Sequence, residues 1–281
     1  MSRRTLLGSS GYHPMLKEAI DYYFLHGFSW TNFPTTNWLD NLNQFYNELQ
    51  AGGLINAAGL TQPLKQGIFE YLHLWTIEAA SVDFGRLNLV RPSWTPLTGT
   101  PSFLSKTGIG NAGAPLVANF RLAVVSPAGP GDTVLPGTDS SNSCNAVWVK
   151  VGGAEATYSE LMRTLGETNG RLYTIRQRVN PRIDMLHSYT SASPAVVQNG
   201  TIANNTIYGA KSSANVCVSF VNSTETVQGS SALTSDNLTI QFANNMLAGR
   251  YVGGAWFGNG SWNNAHLVSM RTAITNFNSR L

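Results

Sequence analysis

Residues 215–231 have the sequence NVCVSFVNSTETVQGSS, and this segment indicates the fold class. Apolar side chains occupy every second position at its start: Val216, Val218 and Phe220. In an extended chain these positions share one face, as a strand with one face on a core requires. Asn222 and Ser223 then predict a tight turn into a partner strand over residues 224–227. The segment therefore predicts an antiparallel hairpin.

Segments of the same kind recur on both sides of this hairpin. Beyond residue 90, Pro, Gly, Asn and Ser separate short apolar or alternating runs, which is typical of an antiparallel sandwich or jelly roll. The predicted strands cover residues 71–77, 116–125, 145–151, 171–178, 185–189, 238–242 and 251–257. We therefore predict a mostly β fold, an antiparallel two-sheet jelly-roll sandwich with N-terminal helices and a C-terminal helix.

Amphipathic helices are predicted ahead of the strands. The first covers His13 to Gly27, with Pro14 in its first turn and the glycine at its end. The second begins at Thr36 as the N-cap and ends at Gly52. Its apolar face consists of Leu39, Leu42, Phe45 and Leu49. A third helix is predicted over residues 62–69.

The C-terminal residues predict one more helix, capped by Ser261. One stripe of this helix is apolar: Leu267, Met270, Ile274 and Phe277. We expect the stripe to face the sandwich, so that the helix closes one sheet. The predicted organisation is an arm and helical docking segment over residues 1–60, followed by a sandwich with its C-terminal helix over residues 61–281.

The composition limits the partners that the chain can have. Charged residues make up 12% of the chain, about half the fraction of an average soluble domain, and the net charge is +3. Low charge suits a surface that contacts copies of the chain or neighbouring subunits, and scattered positive charge predicts no specific nucleic acid. The densest basic cluster is predicted on solvated strand edges or at subunit contacts: Arg171, Arg176, Arg178 and Arg182, with Arg163 nearby.

The sequence also predicts where the protein works. It has no run of 18 apolar residues, so no membrane span is expected, and its start lacks the apolar segment of a secretory signal. Cys144 and Cys217 lack metal or redox spacing and are expected to be free thiols. These features favour assembly in a cytoplasm.

Catalytic and metal-binding patterns are missing from the sequence. It has no carboxylate cluster of the kind that cleaves glycans, no histidine pair with metal-ligand spacing and no nucleotide fingerprint. We therefore predict no enzyme activity, no cofactor and no metal site. Asp132 and Asp139 lie in a Gly- and Pro-rich loop that could ligate calcium, with an ordinary turn role as the alternative.

Aromatic side chains are the remaining candidates for ligand contact. Trp94, Trp262 and Tyr208 are predicted to stack on a ligand, with packing at the rim or contact with another subunit as the alternatives. Trp148 and Trp256 lie inside predicted strands and are expected to pack between the sheets.

The order of the parts is similar to that of a known family. After the helices the chain contains EYLHLWTIEAA (70–80), GRLNLVRP (85–92), PSFLSKTGIGNAGA (101–114), SCNAVWVKV (143–151), VGGAWFGNG (252–260) and SWNNAHLVSMRTAITNFNSRL (261–281). The last phrase fits the spacing L-x-x-x-R-x-A-x-x-x-F. Over residues 40–281 this order resembles the structural proteins of tailed bacteriophages that carry a concanavalin-A-like, laminin-G-like lectin sandwich.

The resemblance implies a multimeric virion component, such as a tail, fibre, collar or head-surface protein, made in the host cytoplasm. It brings no catalytic residues, because the acid cluster of the glucanase branch has no counterpart here. Arg3 and Arg4, with Leu39 and Phe45, are predicted to dock on other virion proteins, since a short arm can order against a neighbouring chain. The alternative is a host-glycan receptor-binding protein or a polysaccharide depolymerase.

Overall fold

The computed structural model describes most of the chain. The described residues are 11–55, 69, 71–90, 97–110, 115–122, 133–135, 143–154, 159–165, 170–178, 182–190, 196–213, 216–230, 237–258 and 260–281. Trp94, Arg3, Arg4, the loop aspartates Asp132 and Asp139, and residues 62–68 of the predicted third helix lie outside them.

The described elements are helices at both ends and strands between them. The helices are α1 (Pro14–Leu25), α2 (Thr36–Ala51) and α3 (Asn264–Ser279), and short 3-10 turns cover Trp30–Asn32 and Asp83–Arg86. The strands are β1 (Tyr71–Leu74), β2 (Ser102–Leu104), β3 (Gly108–Gly110), β4 (Leu116–Leu122), β5 (Thr133–Leu135), β6 (Ser143–Val151), β7 (Ser159–Leu165), β8 (Gly170–Arg178), β9 (Arg182–Thr190), β10 (Val196–Asn199), β11 (Thr206–Ser213), β12 (Val216–Val221), β13 (Thr224–Ser230), β14 (Asn237–Asn244) and β15 (Tyr251–Gly258).

The strands form two sheets that pack face to face. Sheet A has the order β13-β12-β11-β6-β15-β3-β2, with β1 also paired to β15, and sheet B has the order β10-β9-β8-β7-β14-β4-β5. The described strand pairs are antiparallel except for β4 with β5, which is parallel. The predicted β-sandwich with helices at both ends is thus confirmed.

The core between the sheets comes from the inward-facing residues of both. Val147 and Val149 of sheet A lie in one buried cluster with Ile175, Met185 and Phe242 of sheet B. The spacing of two between such residues is the period of a strand, so the alternate residues face away from this core.

The outer face of sheet A carries a second core, which the helices cover. Trp148 and Trp256 belong to this core together with Leu267 of α3. The prediction that these two tryptophans pack between the sheets is therefore wrong, because they project from the opposite face. The helical residues of this core include Leu16, Ile20, Leu39, Leu42, Phe45, Met270, Ile274 and Phe277.

Two helix caps differ from the predicted ones by one or two residues. Thr35, in extended backbone, caps α2 by accepting a hydrogen bond from the Trp38 amide at 3.3 Å, so Thr36 is already helical. Asn263 caps α3 in a reciprocal capping box with His266, and Ser261 does not. The shift at α3 follows from Trp262, which lies between Ser261 and Asn263. Trp262 is buried, so the backbone has to place its side chain in the core before the helix begins.

Candidate ligand-binding surface

The predicted ligand-binding aromatics that the structure describes are buried. Trp262 is 1% exposed, and its ring lies 5.6 Å from that of Phe69. Tyr208 is 3% exposed, and its hydroxyl accepts a hydrogen bond from the Ala203 amide at 2.9 Å. Neither side chain offers a face for a ligand, so the expectation of exposure is corrected. Trp262 packs in the second core on the outer face of sheet A, whereas Tyr208 packs in the core between the sheets.

The predicted docking side chains of α2 are also buried. Leu39 and Phe45 are 0% exposed, and the Phe45 ring lies 5.3 Å from the ring of Phe277 in α3. Their docking role is therefore wrong, because both side chains already pack inside the protein. The apolar stripe of α2 pairs with other helices of the same chain.

A row of polar side chains crosses the outer face of sheet B. Asn244 of β14 is paired with Glu160 of β7, Glu160 with Arg176 of β8, and Arg176 with Asp184 of β9. Neighbouring strands lie about 4.8 Å apart, so four aligned positions extend over roughly 14 Å. Arg176 and Asp184 directly follow the core residues Ile175 and Ile183, which places the row on the face turned away from the inter-sheet core.

Two further arginines complete the arrangement, called here the polar row. The Arg163 guanidinium donates to Glu160 Oε2 at 2.7 Å, and the same oxygen accepts from Asn244 Nδ2 at 2.8 Å. Asp184 accepts from Arg176 Nε at 2.9 Å through Oδ2 and from Arg182 Nε at 2.7 Å through Oδ1. Each carboxylate is therefore held by at least two described donors.

The carboxylates are buried, while the outer arginines reach solvent. Asp184 and Glu160 expose 0% and 1% of their side chains, and Arg176 exposes 8%. Arg163 and Arg182 expose 34% and 38%. A guanidinium has five N–H donors in a rigid plane, so a carboxylate bond at one edge leaves donors for another acceptor. The polar row can therefore present fixed hydrogen-bond donors at the surface.

The sequence indicated part of this surface. The basic cluster of residues 163–182 was predicted on solvated edges or at subunit contacts, but Arg176 lies in β8 inside sheet B and is buried. Of Arg171 and Arg178 the structure describes the backbone only. Glu160 and Asp184 were missed because they are 24 positions apart in sequence. In β9 the signal was an acid two residues from an arginine, Arg182 and Asp184, since alternate residues share a face. In β7 the spacing of three between Glu160 and Arg163 gave no such signal, because a register shift lies between Glu160 and Met162.

Two further structural findings bear on the predicted partners. Among the described residues, no group of three or more His, Cys, Asp and Glu side chains is placed to hold a metal ion. In the same part of the chain, none of the helices is long and apolar enough to cross a membrane.

Comparison with known proteins identifies the fold. No protein-family model and no curated protein matches the chain. Among solved structures, Trypanosoma rangeli sialidase in complex with sialic acid matches 83% of this chain and 37% of its own, with 12% identity and a TM-score of 0.52. A mutant of that sialidase displaying trans-sialidase activity matches 85% of this chain and 39% of its own, with 11% identity and a TM-score of 0.52.

Another solved structure resembles the chain too weakly to indicate a shared fold. The binding domain of botulinum neurotoxin DC, in complex with rat synaptotagmin II, matches 48% of this chain and 36% of its own with a TM-score of 0.36.

These comparisons bear on two expectations, the absence of enzyme activity and the β-sandwich fold. The prediction that the chain is not an enzyme is withdrawn, because solved structures of a sialidase match 83% of the chain. The chain spans less than two fifths of the length of that sialidase, at 11% identity. What the likeness shows is the fold, a two-sheet β-sandwich of the kind present in Trypanosoma rangeli sialidase.

Proposed function

We propose that this chain is a glycan-binding component of a tailed-bacteriophage virion and that the polar row is its ligand surface. The observation that carries the glycan part is the polar row itself, with arginine donors fixed on buried carboxylates. The phage part rests on the sequence resemblance over residues 40–281. Sialic acid in the structure of Trypanosoma rangeli sialidase, which shares the fold, is in keeping with a glycan ligand.

The chemistry of the polar row suits sugars. Neighbouring hydroxyl groups of a sugar can accept hydrogen bonds from two N–H groups of one guanidinium, and a sugar carboxylate would accept them more strongly. Because Arg163 and Arg182 are already anchored on Glu160 and Asp184, little side-chain freedom remains to be lost on binding. An anchored donor therefore gives more affinity than a free one.

The binding proposal is tested with purified protein on a glycan array, followed by titration of each glycan retained. We expect Arg182→Lys to weaken binding by about 10-fold or more, because lysine keeps the charge but loses the rigid plane of N–H donors. Arg271→Lys is the matched control, since Arg271 is exposed on α3, a helix that covers the other sheet. Equal affinity of Arg182→Lys and wild type, or retention of no glycan by the wild-type protein, would reject the role of the polar row.

Two further measurements test the wider proposal. Mass spectrometry and imaging of purified particles should locate the chain in the virion in several copies, and its absence from particles would overturn the virion role. Release of reducing ends from a retained polysaccharide would show that the surface cleaves its ligand, in which case Glu160 and Asp184 are the carboxylates to replace first.

A further inference from the structure

The turn between α1 and α2 exposes an aromatic side chain that is not among the predicted ligand contacts. Trp30 is 45% exposed, and it is the aromatic member of the large exposed apolar side chains in the described part of the chain, the others being Leu25, Leu104 and Val268. The remaining described tryptophans, at 38, 75, 148, 256 and 262, expose 1% or less. A partly exposed indole with rings packed behind it can offer a flat stacking face to a ligand.

The back of the Trp30 ring is supported by other rings. Its centroid lies 4.0 Å from that of Phe24 and 5.2 Å from that of Phe33. Phe33 packs in turn on Phe84 at 5.9 Å and on Tyr23 at 5.4 Å, and both of these side chains are fully buried. Since Phe24 covers one face of the indole, the exposed area belongs to the other face and the edge. The result is a flat, supported platform that opens to one side.

Polar residues flank Trp30 in the chain and are held in place by hydrogen bonds. Ser29 caps the short turn by accepting a hydrogen bond from the Thr31 amide at 3.1 Å, and the buried Tyr23 donates its hydroxyl to the Ser29 carbonyl at 3.1 Å. Asn32, two residues from the indole, donates through Nδ2 to Asp83 Oδ2 at 3.0 Å. The turn is therefore rigid, and its hydroxyl and amide groups lie next to the indole in the chain.

We propose that Trp30 is a sugar-stacking platform, a second glycan contact carried by the helical layer. The apolar face of a pyranose ring would lie on the open face of the indole, whose negative π-cloud attracts the polarised C–H groups of the sugar. Ser29, Thr31 and Asn32 would bond its hydroxyl groups. The ligand class rests on the proposed function, but the platform belongs to the layer that covers sheet A and is separate from the polar row of sheet B.

A sugar fits this surface better than a protein or a lipid does. The apolar area is that of one indole with an adjoining ring edge, well below the area of a stable protein interface. Among the described residues of this region, Arg86 is paired with Asp83 and Lys106 with Glu78, so these charges form no basic cluster that would attract anionic lipid. An exposed indole flanked by hydroxyl and amide groups matches an uncharged, amphipathic ring.

The test uses the full chain and three neutral probes: cellohexaose, maltohexaose and chitohexaose. We expect at least one to bind in calorimetry and to shift the tryptophan fluorescence. Trp30→Ala should weaken that binding by about 10-fold or more, Trp30→Tyr should restore most of it, and Leu25→Ala, at an exposed apolar position five residues away, should leave it unchanged. Trp30→Ala should still fold, with a circular dichroism spectrum like that of wild type, because the indole lies at the edge of the core and is 45% exposed.

Two variants distinguish this inference from the proposal for sheet B. If Arg182→Lys abolishes binding of array glycans while Trp30→Ala leaves every probe and glycan bound as in wild type, the platform is rejected and the polar row stands. If Trp30→Ala alone weakens the neutral probes, the platform stands without the polar row. Binding of none of the three probes overturns the platform, as does conversion of a dimer to a monomer in Trp30→Ala by light scattering, which would assign the indole to a protein contact.

Discussion

Phe277 is the residue at which the C-terminal helix meets the N-terminal helices. Its side chain is 0% exposed, and its ring lies 5.3 Å from Phe45 and 6.1 Å from Trp38. Asn41 of α2 also donates a hydrogen bond to the Phe277 carbonyl at 3.2 Å. One side chain therefore joins the two ends of the chain.

Replacement of this ring should be costly. Phe277→Ala is expected to lower the free energy of unfolding by about 3–5 kcal/mol, because it leaves a cavity between α2 and α3. The matched control is Val268→Ala on the exposed side of α3, where Val268 is 44% exposed and the change should stay within about 0.5 kcal/mol. Urea unfolding measures both values, and an unchanged midpoint for Phe277→Ala would contradict the packing described here.

His73 is a buried ionisable residue on the inner side of β1. Its side chain is 0% exposed between the rings of Tyr71 and Trp75, and Nδ1 donates to the Gly85 carbonyl at 3.0 Å. Burial lowers the pKa of His73 to about 3, and hydrogen bonds to the backbone of Gly85 and Leu87 offset only part of that effect. The imidazole is therefore neutral in the folded protein at neutral and moderately acid pH.

This lowered pKa predicts a loss of stability in acid. Between about pH 6.5 and 3 the unfolded chain binds a proton at His73 that the folded chain does not, so the free energy of unfolding should fall by up to about 1.4 kcal/mol per pH unit from this residue. Burial also lowers the pKa values of His13 and His266, which act in the same direction. Urea unfolding at pH 7 and 5 should show a shallower decline for His73→Asn, and equal declines in the variant and wild type would show that the ring titrates normally.

At the scale of elements, the capping box of α3 can be separated from the neighbouring serine. The Asn263 side chain accepts from the His266 amide at 3.0 Å, and His266 Nδ1 accepts from the Asn263 amide at 3.2 Å. Asn263→Ala should therefore cost about 1 kcal/mol of unfolding free energy, whereas Ser261→Ala, two residues earlier, should cost less than about 0.5 kcal/mol. Thermal or urea unfolding decides between the two residues, and a larger cost at Ser261 would restore it as the cap.

Elements with a strong period were predictable from the sequence, and short ones were not. The stripe Leu267, Met270, Ile274 and Phe277 identified α3 and its buried face. Strands β2 and β3 are three residues long, so neither contains a full alternation. Strand β11 was missed because Gly209 interrupts its apolar pattern, yet only a glycine fits there, since an added Cβ would lie 2.2 Å from the Phe220 ring. Propensity disfavours glycine in strands, but close packing overrides it.

At the scale of the whole molecule, the candidate sites depend on contacts that no local pattern contains. The polar row needs four strands in register, and its residues come from positions 160, 176, 184 and 244. Trp30 and Trp262 are both tryptophans next to polar residues in the sequence, yet one is 45% and the other 1% exposed. Whether each indole is exposed to a ligand depends on the second core. That core forms only when the N-terminal helices and the C-terminal helix pack together.

The second core also predicts that the helices cannot be removed without loss of the sandwich. Helices α1 and α2 contribute more than half a dozen fully buried apolar side chains to it, among them Leu16, Ile20 and Leu42. Each such side chain contributes about 2–5 kcal/mol, while the net stability of a domain is about 5–15 kcal/mol, so the loss of this set exceeds the total. Without them Trp148 and Trp256 would face water.

A chain that begins at residue 54 should therefore lose cooperative unfolding and bind a hydrophobic dye, measured by near-ultraviolet circular dichroism and dye fluorescence. A chain that begins at residue 11 keeps both helices and should unfold as the full chain does, so it also isolates any docking role of Arg3 and Arg4. Wild-type unfolding of the chain that begins at residue 54 would show instead that the helices are a separable docking segment.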